Sequence, residues 1–130
     1  MPIDGNKLFE TYLDYSTVKQ KLISKNIANI NTLFYQREDI SFDDYLSEVA
    51  KDQMKVTDGK QIEFANGIAK NPEDKVITKD TNPELESNFN NIEIDKEMAD
   101  LARNSIMFKF ASRKVGNYYK TLQSIISREK

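Results

Sequence analysis

Leu101, Phe108, Val115 and Leu122 recur every seven residues, Ala111, Tyr118 and Ile125 stand three positions further on, and Met98 precedes the series by three. This is the seam of a helix that packs lengthwise against another helix. A helix from Lys96 to Ser127 would be roughly 48 Å long at 1.5 Å rise per residue, longer than a small globule can cover. Such a helix needs a long partner, and the candidate lies at the other end of the chain, between Asn6 and Asn29. There Leu8, Tyr12, Tyr15, Val18, Leu22 and Ile23 recur at spacings of three and four, and Asp4, Gly5 and Asn6 offer short groups to cap the first turn. The expected fold is mainly α. Its N- and C-terminal helices pair as an elongated coiled-coil-like hairpin, around an irregular middle segment that holds a short β-hairpin.

The joins between these helices read less regularly. Asn26, Asn29 and Asn31 crowd the end of the first helix, and Asn tolerates the left-handed conformation that closes helices. Leu33, Phe34 and Tyr35 follow, and the residues allow two readings: they fold back over the helical pair, or they contact a neighbouring subunit. Residues 40–54 form a short amphipathic helix capped by Ser41, with Phe42, Tyr45, Leu46 and Val49 on one face. The adjacent acids Glu38, Asp39, Asp43 and Asp44 read as a solvated face, because neighbouring carboxylates on a helix diverge. Between Val56 and Asn91 the turn dipeptides Asp58-Gly59, Asn66-Gly67, Asn71-Pro72 and Asn82-Pro83 exclude any long element. Residues 61–65 and 75–78 alternate weakly, as a short hairpin or extended arms would. Asp95 is the expected cap of the long C-terminal helix, with Glu97 favoured by its dipole. The chain thus divides at residues 1–32, 33–55, 56–94 and 95–130, as one structural unit.

Composition narrows the function classes. Cysteine, histidine and tryptophan are absent, which removes thiol catalysis, His-dependent triads and nearly all ligands for a metal or haem centre. No catalytic residue, cofactor site or metal site is expected, nor is any Gly-rich phosphate loop found. A net charge of −2 argues against general nucleic-acid binding. No run of eighteen apolar residues could span a membrane, and the N-terminus lacks the plan of a secretory signal.

Two stretches then match a pattern. Lys21-Leu22-Ile23-Ser24-Lys25-Asn26-Ile27-Ala28-Asn29-Ile30-Asn31-Thr32, followed by Tyr35, resembles the N-terminal signature of bacterial flagellar rod and hook axial proteins. Its core is an N-x-A-N-x-x-T run ending in an aromatic, here Asn26, Ala28, Asn29, Thr32 and Tyr35. Asn90-Asn91-Ile92-Glu93-Ile94-Asp95-Lys96-Glu97-Met98 resembles the segment opening the C-terminal helix of the same family, with Asn91, Glu97 and Met98 as its motif positions. The likeness covers residues 17–46 and 88–127. It departs where the family usually places Pro-Gly before the aromatic, since Leu33-Phe34 stands there.

The short chain, without a large inserted β-domain, points within that family to the proximal rod. The resemblance implies a mechanical role as a structural subunit of the hollow drive shaft beneath the hook. Family members leave through the flagellar type III export apparatus without a cleaved signal and cross the periplasm as part of the basal body. Their partners are other copies and other rod and basal-body proteins. The heptad stripes supply the packing surfaces for this, and Tyr12, Tyr15, Tyr118 and Tyr119 suit surfaces that are wet before assembly and buried after it. The competing reading is a helical adaptor or secretion chaperone that binds a partner through the same stripes, and it leaves the two Asn-centred motifs unexplained.

Overall fold

The computed structural model describes residues 5–57, 76–79 and 92–128. Helix α1 spans Gly5–Ala28 and helix α3 spans Ile94–Arg128. They run antiparallel, with Asn26 against Glu97, Asn104 against Gln20, and the Phe9 and Phe110 rings edge to face at 6.2 Å. The sequence pattern therefore yields the long helical pair it predicts. A short helix, α2, covers Phe42–Thr57. Its first bond runs from the Tyr45 N–H to the Ser41 carbonyl, which makes Ser41 the cap residue as expected.

The middle segment takes part in a short antiparallel sheet, as expected, but the pairing is not that of a local hairpin. Strand β1 (Glu38–Asp39) pairs antiparallel with β2 (Thr78–Lys79), in register Glu38 to Lys79 and Asp39 to Thr78. Residues 75–78 were expected in a hairpin with 61–65 or in extended arms. Thr78 instead pairs with the segment that follows α1. Residues 61–65 lie outside the described residues, as does Asn91.

The division of α1 between its neighbours is a second correction. The stripe of Leu8, Tyr12, Tyr15, Val18, Leu22 and Ile23 was expected to line the seam with the C-terminal helix. Val18 and Leu22 instead form a core with Ile40, Tyr45 and Val76, with Tyr15, Val49 and Ile77 packed against it. Tyr12 and Tyr15 stack on Phe42 with ring centroids 5.1 and 5.2 Å away, and the Tyr15 hydroxyl donates to the Ile40 carbonyl at 3.3 Å. Burial in this cluster raises the Tyr15 hydroxyl pKa to about 12. α1 is covered on two sides: Tyr12, Tyr15, Val18 and Leu22 serve the α2 side, while Phe9, Ser16 and Gln20 face α3. Ser16, Asn104 and Ala111 are buried, and the Asn104 amide donates to the Ser16 carbonyl at 2.9 Å. Ile23, at 1% exposure, shares the heptad of Phe9 and Ser16.

The turn after α1 holds a conformation that its sequence resists. The Tyr35 N–H donates to the Thr32 carbonyl at 3.3 Å, placing Leu33 and Phe34 at the two central positions of a turn. Phe34 has φ 60°, and it is the one described non-glycine residue with positive φ. A turn with positive φ at its third residue favours glycine there and proline before it. The left-handed region costs an ordinary residue about 1–2 kcal/mol. Phe34→Gly should remove that cost and lose part of the gain to greater freedom in the unfolded chain, a net stabilisation of about 1 kcal/mol. Urea denaturation followed by circular dichroism measures this, and a lower midpoint for the glycine variant would refute the strain.

Candidate functional site

The loop end of the hairpin is built on one amide. Asn26 is 1% exposed, and both of its side-chain groups are fully used. Its Nδ2 donates to the Glu38 carbonyl at 2.9 Å and to Glu97 Oε2 at 3.3 Å. Its Oδ1 accepts from the Glu38 N–H at 3.0 Å and from the Tyr35 hydroxyl at 3.1 Å. Four bonds thereby tie the end of α1 to the turn, to β1 and to the start of α3. Neither Asp nor Ala can reproduce two donors and two acceptors at this position.

Glu97 supplies the other half of the lock. It is fully buried, and Arg37 Nε donates to its Oε1 at 2.5 Å. Arg37, itself 6% exposed, also donates to Asp39 at 2.8 Å and to Asp100 at 3.3 Å. Burial would lower the Arg37 pKa, but the bonds to Asp39 and Glu97 outweigh it and raise it further, so the guanidinium stays charged. Lys19 pairs with Asp39, while Lys25 and Lys79 pair with Glu38 at 2.7 and 3.9 Å. The hydrogen bond with Glu38 raises the Lys25 ammonium.

Three expectations change at this end. Glu38 and Asp39 were read as solvated, yet Glu38 is 9% exposed and Asp39 is only partly exposed and bound to two cations. They lie on a strand beside buried Arg37, not on a helix, so reasoning from helical spacing failed there. Asp43 and Asp44 are exposed, as expected. Asp95 does not cap the helix: the Glu97 N–H bonds the Glu93 carbonyl, which leaves Asp95 within the first turn. Met98 is 51% exposed, and the heptad is completed by Glu97 instead, seven residues before Asn104 and fourteen before Ala111. Apolar character alone favoured Met98, and the charge on Glu97 hid its place in the seam.

The Asp39 carboxyl carries a testable pH signature. Its burial would raise the pKa, but hydrogen bonds from Lys19 and Arg37 hold it below the ordinary carboxylate range. A depressed folded pKa contributes stability that is fully present above the unfolded value of about 4 and lost as pH falls through the folded one. Asp39→Asn should therefore flatten the loss of stability below about pH 4. Melting curves at stepped acidic pH check this, and parallel slopes for both proteins would discount the pairing.

The remaining motif residues take simpler places. Asn29 Nδ2 donates to the Lys25 carbonyl at 2.8 Å and closes the helix, and the Thr32 hydroxyl donates to Asn29 Oδ1 at 3.1 Å. Ala28 and Thr32 are exposed. Of the apolar cluster after α1, Tyr35 folds back onto Asn26, whereas Leu33 and Phe34 are 68% and 76% exposed. The fold-back reading therefore holds for Tyr35 and not for Leu33 and Phe34. Arg37 is the buried ion-pairing residue that sequence reasoning missed. A lone arginine after a turn gives no periodic signal, and only the acid buried sixty residues away marks it.

The second surface lies along α3. Ala111 is buried and Leu101 and Val115 partly so, but Phe108, Tyr118, Leu122 and Ile125 are 40%, 41%, 37% and 55% exposed. Ile106, Met107, Phe110, Tyr119 and Ile126 are exposed as well. From Met107 to Arg128 the helix carries Lys109, Arg113, Lys114, Lys120 and Arg128 and no acid. Among the described residues no acidic cluster could hold a metal ion, and no helix is long and apolar enough to cross a membrane.

No family model matches the chain. Curated relatives do, over about nine-tenths of its length. The flagellar basal body rod protein FlgB of Bacillus subtilis is 28% identical over 119 residues, covering 91% of this chain and 89% of its own. That of Borreliella burgdorferi is 26% identical over 121 residues, with 88% and 90% covered. That of Borrelia hermsii is 23% identical over 129 residues, with 92% and 93% covered. The similarity supports a FlgB-type flagellar rod protein. In this chain the Asn26–Glu97–Arg37 lock ties the end of α1 to the start of α3, and α3 carries several exposed apolar side chains.

Proposed function

We propose that this chain is a structural subunit of the flagellar proximal rod, polymerising through its terminal helices with copies of itself and with other rod and basal-body proteins. The observation that carries this reading is the similarity to FlgB proteins over about nine-tenths of the chain. The large apolar side chains left on α3 support it, because a monomer seldom exposes so many along one helix. Leu8, Tyr12, Tyr15, Val18, Leu22 and Ile23 set the shape of the subunit, and Met98, Phe108, Tyr118, Leu122 and Ile125 supply contacts between subunits. Leu101, Ala111 and Val115 hold the seam between them. In this role the protein passes through the type III export apparatus without a cleaved signal and lies in the part of the rod that crosses the periplasm. It needs no cofactor and performs no catalysis.

Deleting the gene and restoring it tests the reading. Basal bodies isolated from the deletion strain should lack rods in electron micrographs, and the restored strain should regain them. Normal rods in the deletion strain would end it. No observation favours a helical adaptor or secretion chaperone. Such a protein would show protection from hydrogen exchange along both helices that does not change with concentration, whereas a rod subunit should gain protection on association.

A further inference from the structure

The stripe of α3 that faces α1 is not its most apolar one. Glu97, Asn104 and Ala111 are 0%, 7% and 1% exposed, and the first two bond groups of α1. Leu101, Phe108, Val115 and Leu122 form the neighbouring stripe, one turn on, and Phe108 and Leu122 stay 40% and 37% exposed. Sliding α3 by about one turn toward the loop end, roughly 6 Å, would exchange the two stripes and bury the larger side chains. Most ties between the helices would survive the slide. Asp100, which already bonds Arg37 at 3.3 Å, would take the place of Glu97. The Tyr119 hydroxyl, now on Glu10 Oε1 at 2.6 Å, would meet Asp14, and Leu13 would replace Phe9 against the Phe110 ring. Asn104 is the exception. Its amide donates to the Ser16 carbonyl at 2.9 Å and to Gln20 Oε1 at 3.2 Å. One turn further along α1 it would lie against Ile23, a large apolar side chain that is itself buried, whereas Ser16 is small enough to leave the backbone within reach.

From this we propose that Asn104 is an alignment key, which holds α1 and α3 in the observed register against one shifted by a turn. A buried amide at a seam position lowers stability relative to an apolar side chain, and it admits only the register in which its hydrogen bonds close. The key acts within a single chain and does not depend on the rod reading. Its consequence is the length of α3 left uncovered. In the observed register Gly5, the first described residue of α1, stands about level with Tyr119, and about nine residues of α3 extend roughly 14 Å beyond it. The shifted register would cover about four of those and turn Phe108 and Val115 inward. Asn104 thereby decides which apolar side chains of α3 stay at the surface.

The chain contains no cysteine, so nitroxide labels on Lys21→Cys and Lys120→Cys, both exposed positions, report the register directly. The full-length labelled chain would be diluted into excess unlabelled chain, so that the distance read by pulsed electron paramagnetic resonance lies within one molecule. With Asn104 in place it should show a single distance. Asn104→Leu should add a second distance about 6 Å shorter, the shift of about four residues along a helix. It should also raise the urea midpoint, which a residue that only stabilises the pair would lower. Asn104→Ala should show the same second distance, because Phe108 then outweighs the residue it replaces in the seam. A single unchanged distance in both variants would overturn the proposal. So would two distances in the chain that keeps Asn104, or a lower midpoint for Asn104→Leu without a second distance. Loss of the helical circular dichroism in both variants would make Asn104 a residue of stability alone, and the key would fall.

Discussion

Glu97→Ala should cost the folded chain about 3–5 kcal/mol, because it leaves a buried guanidinium short of its main partner. That is a large share of the 5–15 kcal/mol that typically holds a small domain together. The loss has two parts. Arg37 keeps Asp39 and Asp100 but loses the carboxylate that faces its Nε, and the Asn26 amide loses one of its two acceptors. Glu97→Gln retains an acceptor for Asn26 without the charge, so it should fall between the wild type and the alanine variant. Replacing Arg37 and Glu97 together by Leu should cost less than the sum of the single changes, with a coupling of about 0.5–3 kcal/mol. Denaturant unfolding of the wild type, Glu97→Ala, Glu97→Gln, the two single Leu variants and the double Leu variant measures all of this. A loss below about 1 kcal/mol for Glu97→Ala would mean that water readily replaces the pair.

Leu122→Asp should abolish rod assembly while the subunit keeps its fold. Leu122 lies beyond the part of α1 described, so a charge there falls within the roughly ±0.5 kcal/mol usual for surface substitutions. In an assembled stripe the same carboxylate would be buried without a partner, at a cost of several kcal/mol. Leu101→Asp makes the contrast. Leu101 is partly buried near Asn104 in the α1–α3 seam, and a carboxylate there should destabilise the isolated subunit as well as the rod. Thermal melts of the purified variants and micrographs of basal bodies from the matching strains separate the two effects. Normal rods with Leu122→Asp would remove this end of α3 from the assembly. An unchanged melt for Leu101→Asp would show that the seam tolerates charge.

Heptad spacing by itself determined that both ends of this chain are long helices and that they pair. The signal survives without tertiary information because helix periodicity is local, with neighbours three and four residues apart meeting on one face. The start of α2 at Ser41 was legible for the same reason, whereas Asn29 closes α1 through its amide on the Lys25 carbonyl and not through the left-handed conformation expected of it. The partner of each face was not legible. The arc of Tyr12, Tyr15, Val18 and Leu22 suits α2 as well as α3, and apolar burial has no direction that a sequence could encode. Glu97 in place of Met98 was equally hidden. A carboxylate enters a seam only when a cation and an amide, here Arg37 and Asn26, reach it from sixty and seventy-one residues away. The pairing of β1 with β2, across thirty-nine residues, is likewise written in neither strand alone. Interactions closed within a helical turn belong to the sequence, and those that must satisfy buried charge across the fold belong to the tertiary structure.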